Sequence, residues 1–143
     1  MTVVLDATAL IRLFLAAPGA EDVEAVLERG PSVMTSVNLA EAAYEVARVE
    51  EITVTEMRTF ADARMEGLIE VLDVTEAHAW RVVELRDRHY HARRSALSWA
   101  DCVLLAAAQA GDTIVTADHA LARAARAEGI EVVGLPDARG RRP

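Results

Sequence analysis

The chain has 143 residues, a length that fits one domain of ordinary size and leaves no room for two independent cores. Its hydrophobic content of 52% is typical of a globular protein, and its net charge of −8 excludes a general basic coat for nucleic acid while leaving a local site open. All 15 basic residues are Arg, which excludes catalysis by a lysine, and the one cysteine, Cys102, cannot form an internal disulfide, which favours a reducing compartment.

Short apolar runs alternate along the chain with longer segments of helical periodicity. Five runs are predicted to be strands: 2–5, 32–35, 69–74, 113–116 and 131–135. Seven segments are predicted to be helices: 7–15, 21–28, 39–49, 55–67, 76–89, 98–110 and 119–128. Because every connection between two strands contains a helix, the strands should pair in parallel with right-handed crossovers. The predicted fold is α/β, a three-layer α/β/α sandwich around a parallel sheet of about five strands.

The chain contains no internal repeat, low-complexity tract or linker rich in Gly and Ser. Turn pairs such as Pro18-Gly19 and Gly111-Asp112 lie where the periodicity changes, so they separate elements rather than domains. Residues 1–143 are therefore expected to form one domain, with 138–143 as a frayed tail. No segment approaches the roughly 18 apolar residues of a membrane span, and no basic region precedes an apolar stretch at the N-terminus. We predict a soluble cytoplasmic protein with no membrane partner.

Acidic residues follow the predicted strands at the edge of the sheet where open parallel sheets bind ligands. Asp6 follows the first strand directly, and Asp118 follows the fourth. Glu41 is expected in the first turn of the helix after the second strand. Because the carboxyl ends of parallel strands meet at one edge, these three side chains should gather there.

The position of Asp101 requires a further geometric argument, because its helix precedes a strand rather than following one. The helix from Asp101 to Gly111 spans about 15 Å at roughly 1.5 Å per residue. The strand from Thr113 to Asp118 returns about 17 Å at roughly 3.3 Å per residue. Asp101 should therefore lie at about the height of Asp118. Its helix is apolar nearly all round, so burial of this carboxylate is costly unless something compensates it.

Each of these acids also has a simple structural explanation as part of a helix start. Asp6 and Asp118 could be N-caps, and the spacings Asn38-x-x-Glu41 and Ser98-x-x-Asp101 fit capping boxes. Together they are harder to explain, because two charges about 4 Å apart repel by roughly 4 kcal/mol, whereas a helix N-terminus offsets only about 0.3–1 kcal/mol. The repulsion that is not offset must be relieved by raised pKa values or by a cation. We predict Mg²⁺ or Mn²⁺, since the ligands are oxygens and no Cys and His cluster has the spacing of a zinc site.

Four sequence blocks contain these acids: VVLDATALI, SVNLAEAAYEV, LSWADCVLLAAA and IVTADHALARAA. In this order and at these spacings they resemble the PIN-domain ribonucleases, and most closely the VapC toxins of bacterial toxin–antitoxin pairs. The resemblance covers nearly the whole chain. Where the family commonly reads L-S-x-A-D, this chain has Trp99 at the variable position, which is a feature of its own.

The resemblance implies a Mg²⁺-dependent (or Mn²⁺-dependent) endoribonuclease that hydrolyses RNA phosphodiester bonds and leaves a 5′-phosphate. The family's acidic quartet would fall on Asp6, Glu41, Asp101 and Asp118. The first, third and fourth of these would bind metal, while Glu41 would hold a second metal or orient a water. Supporting hydroxyls would come from Thr8, Thr116 and Ser98. The resemblance also implies a VapB-like antitoxin as partner and a homodimer.

A basic segment, RDRHYHARR at 86–94, leads into the helix that carries Asp101. It could follow phosphates and stack a base, with five candidate RNA-binding residues: Arg86, Arg88, Tyr90, Arg93 and Arg94. The alternative is a helix C-terminus whose dipole is complemented by Arg, followed by a solvated loop.

Two other functions fit an acidic edge. A receiver-like signalling module also gathers acids and Mg²⁺ there, but it needs a lysine late in the chain, and this sequence has none. A non-catalytic metal-binding module of the same shape stays open.

Overall fold

The computed structural model describes residues 1–143, and every predicted strand and helix is present to within three residues at each end. The strands are β1 (Val3–Leu5), β2 (Ser32–Thr35), β3 (Ile69–Leu72), β4 (Thr113–Thr116) and β5 (Glu131–Gly134). The helices are α1 (Ala7–Leu15), α2 (Ala20–Leu27), α3 (Ser36–Glu50), α4 (Val54–Met65), α5 (Glu76–His89), α6 (Trp99–Ala107) and α7 (His119–Ala127). None of these helices combines the length and apolar character that crossing a bilayer requires.

The five strands form one parallel sheet in the order β3-β2-β1-β4-β5. The first strand therefore lies at the centre, where Val3 is in register with Ser32 on one side and Thr113 on the other. The chain builds outward from β1 through β2 to β3, and then crosses to the other side of β1 to add β4 and β5. The reversal occurs between β1 and β4, which is where ligands bind in sheets of this type.

The sheet separates two hydrophobic cores, because successive residues of a strand point to opposite faces. Leu5 and Val115 belong to the core that α1, α2, α3 and α4 cover. Val4 and Ile114 belong to the core that α5, α6 and α7 cover. The three-layer α/β/α sandwich predicted from the sequence is thus confirmed. Since β1 and β4 contribute to both cores, packing on each face fixes the position of the loops that follow these two strands.

Helix α3 begins earlier than the sequence predicted, and this corrects the expected position of Glu41. Thr35, the last residue of β2, is the N-cap, and its hydroxyl accepts a hydrogen bond from the Asn38 amide at 3.2 Å. Strand and helix therefore join without a loop. The proposed capping box from Asn38 to Glu41 does not form, and Glu41 lies in the second turn of α3 rather than the first.

The C-terminal residues 138–143, expected to fray, contact the rest of the protein instead. Arg142 donates a hydrogen bond to the Gly134 carbonyl at 2.8 Å and lies 2.9 Å from the carboxylate of Asp22. The carbonyl of Pro143 accepts a hydrogen bond from Arg126 at 3.1 Å. Of the arginines that suggested a solvated tail, Arg142 finds acceptors on β5 and α2, and Arg141 pairs with Asp137.

Candidate active site

Asp6 lies at the reversal point of the sheet, where β1 ends and α1 begins. It is the N-cap of α1, and its Oδ1 accepts a hydrogen bond from the Ala9 amide at 2.8 Å. The side chain is only 2% exposed. Burial raises its pKa from the ordinary 3.8 to about 6, against hydrogen bonds from Thr116, Thr8 and Ala9 that lower it. Asp6 is therefore a structural cap and also a carboxylate held in an unfavourable environment for its charge.

Two threonine hydroxyls connect Asp6 to the loop after β4. The Thr8 hydroxyl donates to Asp6 Oδ1 at 2.7 Å and accepts from the Ala117 amide at 3.0 Å. The Thr116 hydroxyl donates to Asp6 Oδ2 and accepts from the Asp118 amide at 2.9 Å. The structure thus places both predicted hydroxyls against the first acid of the cluster. Through their amide contacts they also set the backbone from which Asp118 projects.

Asp101 and Asp118 are held in similar ways at the starts of α6 and α7. Asp101 Oδ2 accepts a hydrogen bond from the Ser98 amide at 2.8 Å, and Ser98 Oγ accepts one from the Asp101 amide at 3.0 Å. Asp118 Oδ1 accepts a hydrogen bond from the Leu121 amide at 2.8 Å. The capping-box and N-cap explanations are therefore correct for these residues. Each carboxylate nevertheless keeps a second oxygen that no protein group hydrogen-bonds.

The charge of Asp101 interacts with all three other acids of the predicted quartet. Burial raises the pKa of Asp101, and the negative charge of Asp118 raises it further. The charge of Asp101 in turn raises the pKa of Asp6 and of Glu41, although burial is the larger cause in both. The four acids that are distant in sequence thus form one acidic cluster with Asp101 as its common member. The geometric argument that returned Asp101 to the height of Asp118 is consistent with this coupling.

No basic side chain compensates the acidic cluster. The eight ion pairs of the protein all lie elsewhere, and none includes Asp6, Glu41, Asp101 or Asp118. Glu41 is exposed, and its carboxylate makes no hydrogen bond. Burial, Asp101 and Glu45, in that order, raise its pKa. A protein that leaves several acids coupled and unpaired has a site suited to an external cation.

The donor set fits a hard divalent cation, although the side chains do not form a finished cage. Every available ligand is a carboxylate oxygen, and both oxygens of Glu41 and one each of Asp101 and Asp118 are free of hydrogen bonds. No three acidic, His or Cys side chains converge at ligand distances. Closing a cage therefore requires side-chain rotation, which the exposed Glu41 is free to make. Cys102, beside Asp101, is buried in the core, and burial raises the pKa of its thiol.

The acidic cluster does not line any of the main surface cavities. Small-molecule sites are usually concave and largely apolar. The acidic cluster therefore differs from a typical small-molecule pocket.

The five residues predicted to bind RNA have different surroundings. The Arg86 guanidinium lies 4.1 Å from the ring centroids of both Tyr90 and Trp99. Arg88 forms an ion pair with Glu128 at 2.5 Å. Arg93 and Arg94, in contrast, are exposed and form no ion pair with an acid. The structure brings Tyr90 to Arg86, pairs Arg88 with the residue that follows α7, and leaves the other two arginines facing solvent.

Two contacts near the cluster were missed in the sequence. Thr35 rather than Asn38 caps α3, and the Asn38 side-chain oxygen accepts from the Thr35 hydroxyl at 2.5 Å. The signal was present as Thr35-x-x-Asn38 directly after an apolar run. Trp99 is held by Arg86, a contact between two helices that no spacing in the sequence indicates.

Known proteins resemble the chain in sequence pattern and in fold. A family model described as PIN domain matches residues 3–127. No curated protein matches the chain significantly. Similar solved structures include a toxin–antitoxin complex from Klebsiella pneumoniae, with a TM-score of 0.63, 21% identity, and coverage of 92% of this chain and 96% of that one. VapBC2 from Rickettsia felis bound to a DNA fragment from their promoter has a TM-score of 0.63 and 15% identity, with coverage of 94% of this chain and 99% of that one. FitAcB from Neisseria gonorrhoeae has a TM-score of 0.61 and 19% identity, with coverage of 92% of this chain and 96% of that one. At these identities the structural likeness establishes the fold.

Proposed function

The chain belongs to the PIN-domain family, and from that membership we propose that it is a divalent-metal-dependent endoribonuclease and the toxin of a VapBC-type toxin–antitoxin pair. The observation that supports this most is the coupling of Asp101 with Asp6, Glu41 and Asp118 in a cluster that no basic side chain neutralises. A purely structural set of helix caps does not need its charges to meet. The reaction is hydrolysis of an RNA phosphodiester bond, with a 5′-phosphate as one product.

Each side chain of the cluster has a proposed role. Asp6, Asp101 and Asp118 would hold Mg²⁺ or Mn²⁺, and Glu41 would complete the set or orient a water. Thr8 and Thr116 keep Asp6 in one orientation through their hydrogen bonds, and Ser98 does the same for Asp101 through its amide. When bound, a divalent cation neutralises charge on the phosphate and lowers the pKa of a water molecule. The protein's own contribution is to fix the carboxylates before the substrate arrives.

The substrate proposal also depends on charge near the edge. A protein of net charge −8 repels a polyanion over most of its surface. Segment 86–94 leads into α6 and presents Arg93 and Arg94 to solvent, so it offers local attraction close to Asp101. We expect both arginines to contact phosphates. Their replacement by Ala should reduce the salt dependence of RNA binding, because each lost contact removes about one released counterion.

A partner protein is proposed on the same grounds. The structural relatives include toxin–antitoxin complexes, and the unpaired carboxylates of the cluster are natural acceptors for an Arg side chain supplied by another chain. We propose a VapB-like antitoxin that covers this edge and inhibits cleavage, and a homodimer as the form of the free protein. Addition of such an antitoxin should abolish cleavage, and sedimentation velocity of the free protein should give the mass of two chains.

Cleavage of defined RNAs tests the enzymatic proposal directly. The purified protein should cut RNA with Mg²⁺ or Mn²⁺, and EDTA should stop the reaction. Asp101→Asn should lower the rate by at least a hundredfold. Asp73→Asn is the matched control, because Asp73 is an exposed acid that follows β3 at the same edge but lies outside the cluster. It should cleave like the original protein.

The result separates the two functions that the cluster supports. Unchanged cleavage by Asp101→Asn would refute the assignment of the site. Metal binding in calorimetry without cleavage of any RNA would instead favour the non-catalytic metal-binding module.

A further inference from the structure

Arg86 lies between two aromatic rings at the junction of α5 and α6. Its guanidinium carbon is 4.1 Å from the centroid of the Tyr90 ring and 4.1 Å from that of the Trp99 ring. It also donates a hydrogen bond to the carbonyl of Leu97 at 2.8 Å, which ties it to the chain just before α6. A planar guanidinium stacks on aromatic faces in a way that an ammonium group cannot. Tyr90, Arg86 and Trp99 therefore form one three-layered stack, named here the aromatic stack.

The outer side of the aromatic stack is open to solvent. Trp99 is 62% exposed and Tyr90 is 41% exposed, even though Arg86 covers one face of each ring. The exposed area of Trp99 must therefore lie mainly on its opposite face and edges. The free face of the indole ring is thus available for stacking with another planar group. The contacts of Arg86 hold the ring in that exposed position and limit its rotation.

Trp99 is also close in the chain to the acidic cluster. It is the first residue of α6, directly after Ser98, whose amide holds the carboxylate of Asp101. Trp99 and Asp101 thus occupy the same first helical turn. The two residues are about 3 Å apart along the helix axis, although their side chains leave the helix in different directions.

We propose that Trp99 is the platform on which a nucleobase of single-stranded RNA stacks, at the start of the helix that carries Asp101. This inference rests on the proposed function, which it deepens by assigning a base-binding position. Arg86 is a positioning residue that holds the indole ring, rather than a phosphate contact. Unpaired bases stack on aromatic side chains with little dependence on sequence, so the platform selects unpaired RNA over a duplex. An aromatic ring with few rotatable bonds loses little conformational entropy when a base binds.

The surroundings of Trp99 favour a base over a protein partner. Trp80 and Val83, on the preceding turns of α5, are also exposed, so the choice between a base and a protein partner depends on charge. Segment 86–94 carries four Arg and one Asp. An exposed ring beside excess positive charge matches a base attached to a phosphate.

Fluorescence of Trp99 tests stacking without catalysis. Trp80→Phe leaves Trp99 as the only Trp and alters an exposed side chain of α5. In EDTA, a short unpaired oligoadenylate should quench the emission of this variant with saturation. An abasic oligonucleotide with the same number of phosphates should bind without quenching. Adding Trp99→Leu should weaken binding of the oligoadenylate about tenfold, while Trp99→Phe should retain most of the affinity.

Arg86→Lys separates the positioning role from the charge. It keeps the positive charge but removes the planar group. In the single-Trp protein it should lower the fluorescence anisotropy of Trp99 and weaken RNA binding. Circular dichroism and thermal denaturation of each variant verify that the protein is folded. If Trp99→Leu is unfolded, the comparison of oligoadenylate with abasic RNA in the single-Trp protein decides between stacking and its absence.

The outcomes distinguish this inference from the proposed function. Quenching in EDTA without cleavage in metal would support stacking and refute the ribonuclease. Cleavage by Trp99→Leu at the original kcat/KM, with no quenching of the single-Trp protein, would overturn stacking and leave the ribonuclease intact. A change of oligomeric mass on Trp99→Leu with unchanged RNA affinity would also overturn it, because Trp99 would then be a protein contact.

Discussion

Asp6→Asn is expected to stabilise the protein while removing its activity. The pKa of Asp6 is raised from 3.8 to about 6, chiefly by burial. At roughly 1.4 kcal/mol for each tenfold change in proton affinity, the ionised form costs the folded state about 3 kcal/mol at pH values well above 6. Asn has nearly the same shape and no charge. The Thr8 and Thr116 hydroxyls can reverse their hydrogen bonds toward the new amide group.

The sign of the pH dependence follows from the direction of the shift. A folded-state pKa above the unfolded one means that the folded protein holds the Asp6 proton more tightly. The free energy of unfolding should therefore fall as the pH rises from 3.8 through about 6, and remain lower above that. Asp6→Asn cannot titrate. Its advantage over the original protein should be small at pH 4 and reach about 3 kcal/mol at pH 7.5.

Urea denaturation in EDTA at several pH values measures this difference. With m-values of about 1–3 kcal/mol/M, the midpoint should rise by roughly 1–3 M at pH 7.5. A midpoint for Asp6→Asn at or below that of the original protein at pH 7.5 would refute the reasoning. So would a difference between the two proteins that does not grow with pH.

Asp112→Asn is the matched control, since Asp112 is a buried acid on the opposite edge of the sheet. Its two carboxylate oxygens accept hydrogen bonds from the amides of Thr2 at 2.8 Å and Gln109 at 3.0 Å. An Asn side chain would turn its own NH₂ group toward one of these amides and lose that bond. The same substitution should therefore destabilise the protein here, by about 1–3 kcal/mol. Opposite signs at the two positions would show that Asp6 is held for a purpose other than stability.

Three further outcomes are expected. Millimolar Mg²⁺ should raise the Tm of the original protein but not that of Asp101→Asn in thermal denaturation, because only a site that binds the ion gains stability from it; equal shifts would contradict the proposed ligand. Leu104→Ala removes a fully buried side chain of α6 and should cost about 2–5 kcal/mol in urea denaturation, whereas Val83→Ala, at an exposed position, should stay within about 0.5 kcal/mol. Glu128→Gln should lower the free energy of unfolding by about 1 kcal/mol near neutral pH. Hydrogen bonds from His89 and Arg88 lower the pKa of Glu128 below 4.5, so the loss should disappear as the pH falls through the lowered value. A loss that persists in acid would contradict this cause.

The positions of three acids were predictable because each depends on one-dimensional features of the sequence. Asp6 and Asp118 follow apolar runs that are buried strands, so the strand ends fix their height. Asp101 could be placed by counting residues down a helix and back up a strand. What could not be predicted is whether the carboxylates converge, because that depends on side-chain rotation rather than on backbone position.

Two errors show where such counting fails. The position of Glu41 depended on which residue caps α3, and Thr35 performs that role as the last residue of a strand. The tail was predicted to fray from its composition, yet Arg142 reaches Asp22 and Gly134, residues that are distant in sequence. The contact of Arg86 with Trp99, which lies on another helix, was likewise not predicted. Side-chain contacts between different helices and strands leave no periodic pattern in the sequence.

The central place of β1 in the sheet has a consequence for synthesis. The second neighbour of this first strand is β4, which spans Thr113–Thr116, so most of the chain must leave the ribosome before the sheet closes around β1. Until then Asp6 lacks the hydroxyl of Thr116 and the carboxylate of Asp118. A nascent or prematurely terminated polypeptide therefore has no assembled acidic cluster. Most of the chain must therefore be synthesised before the proposed active site can form.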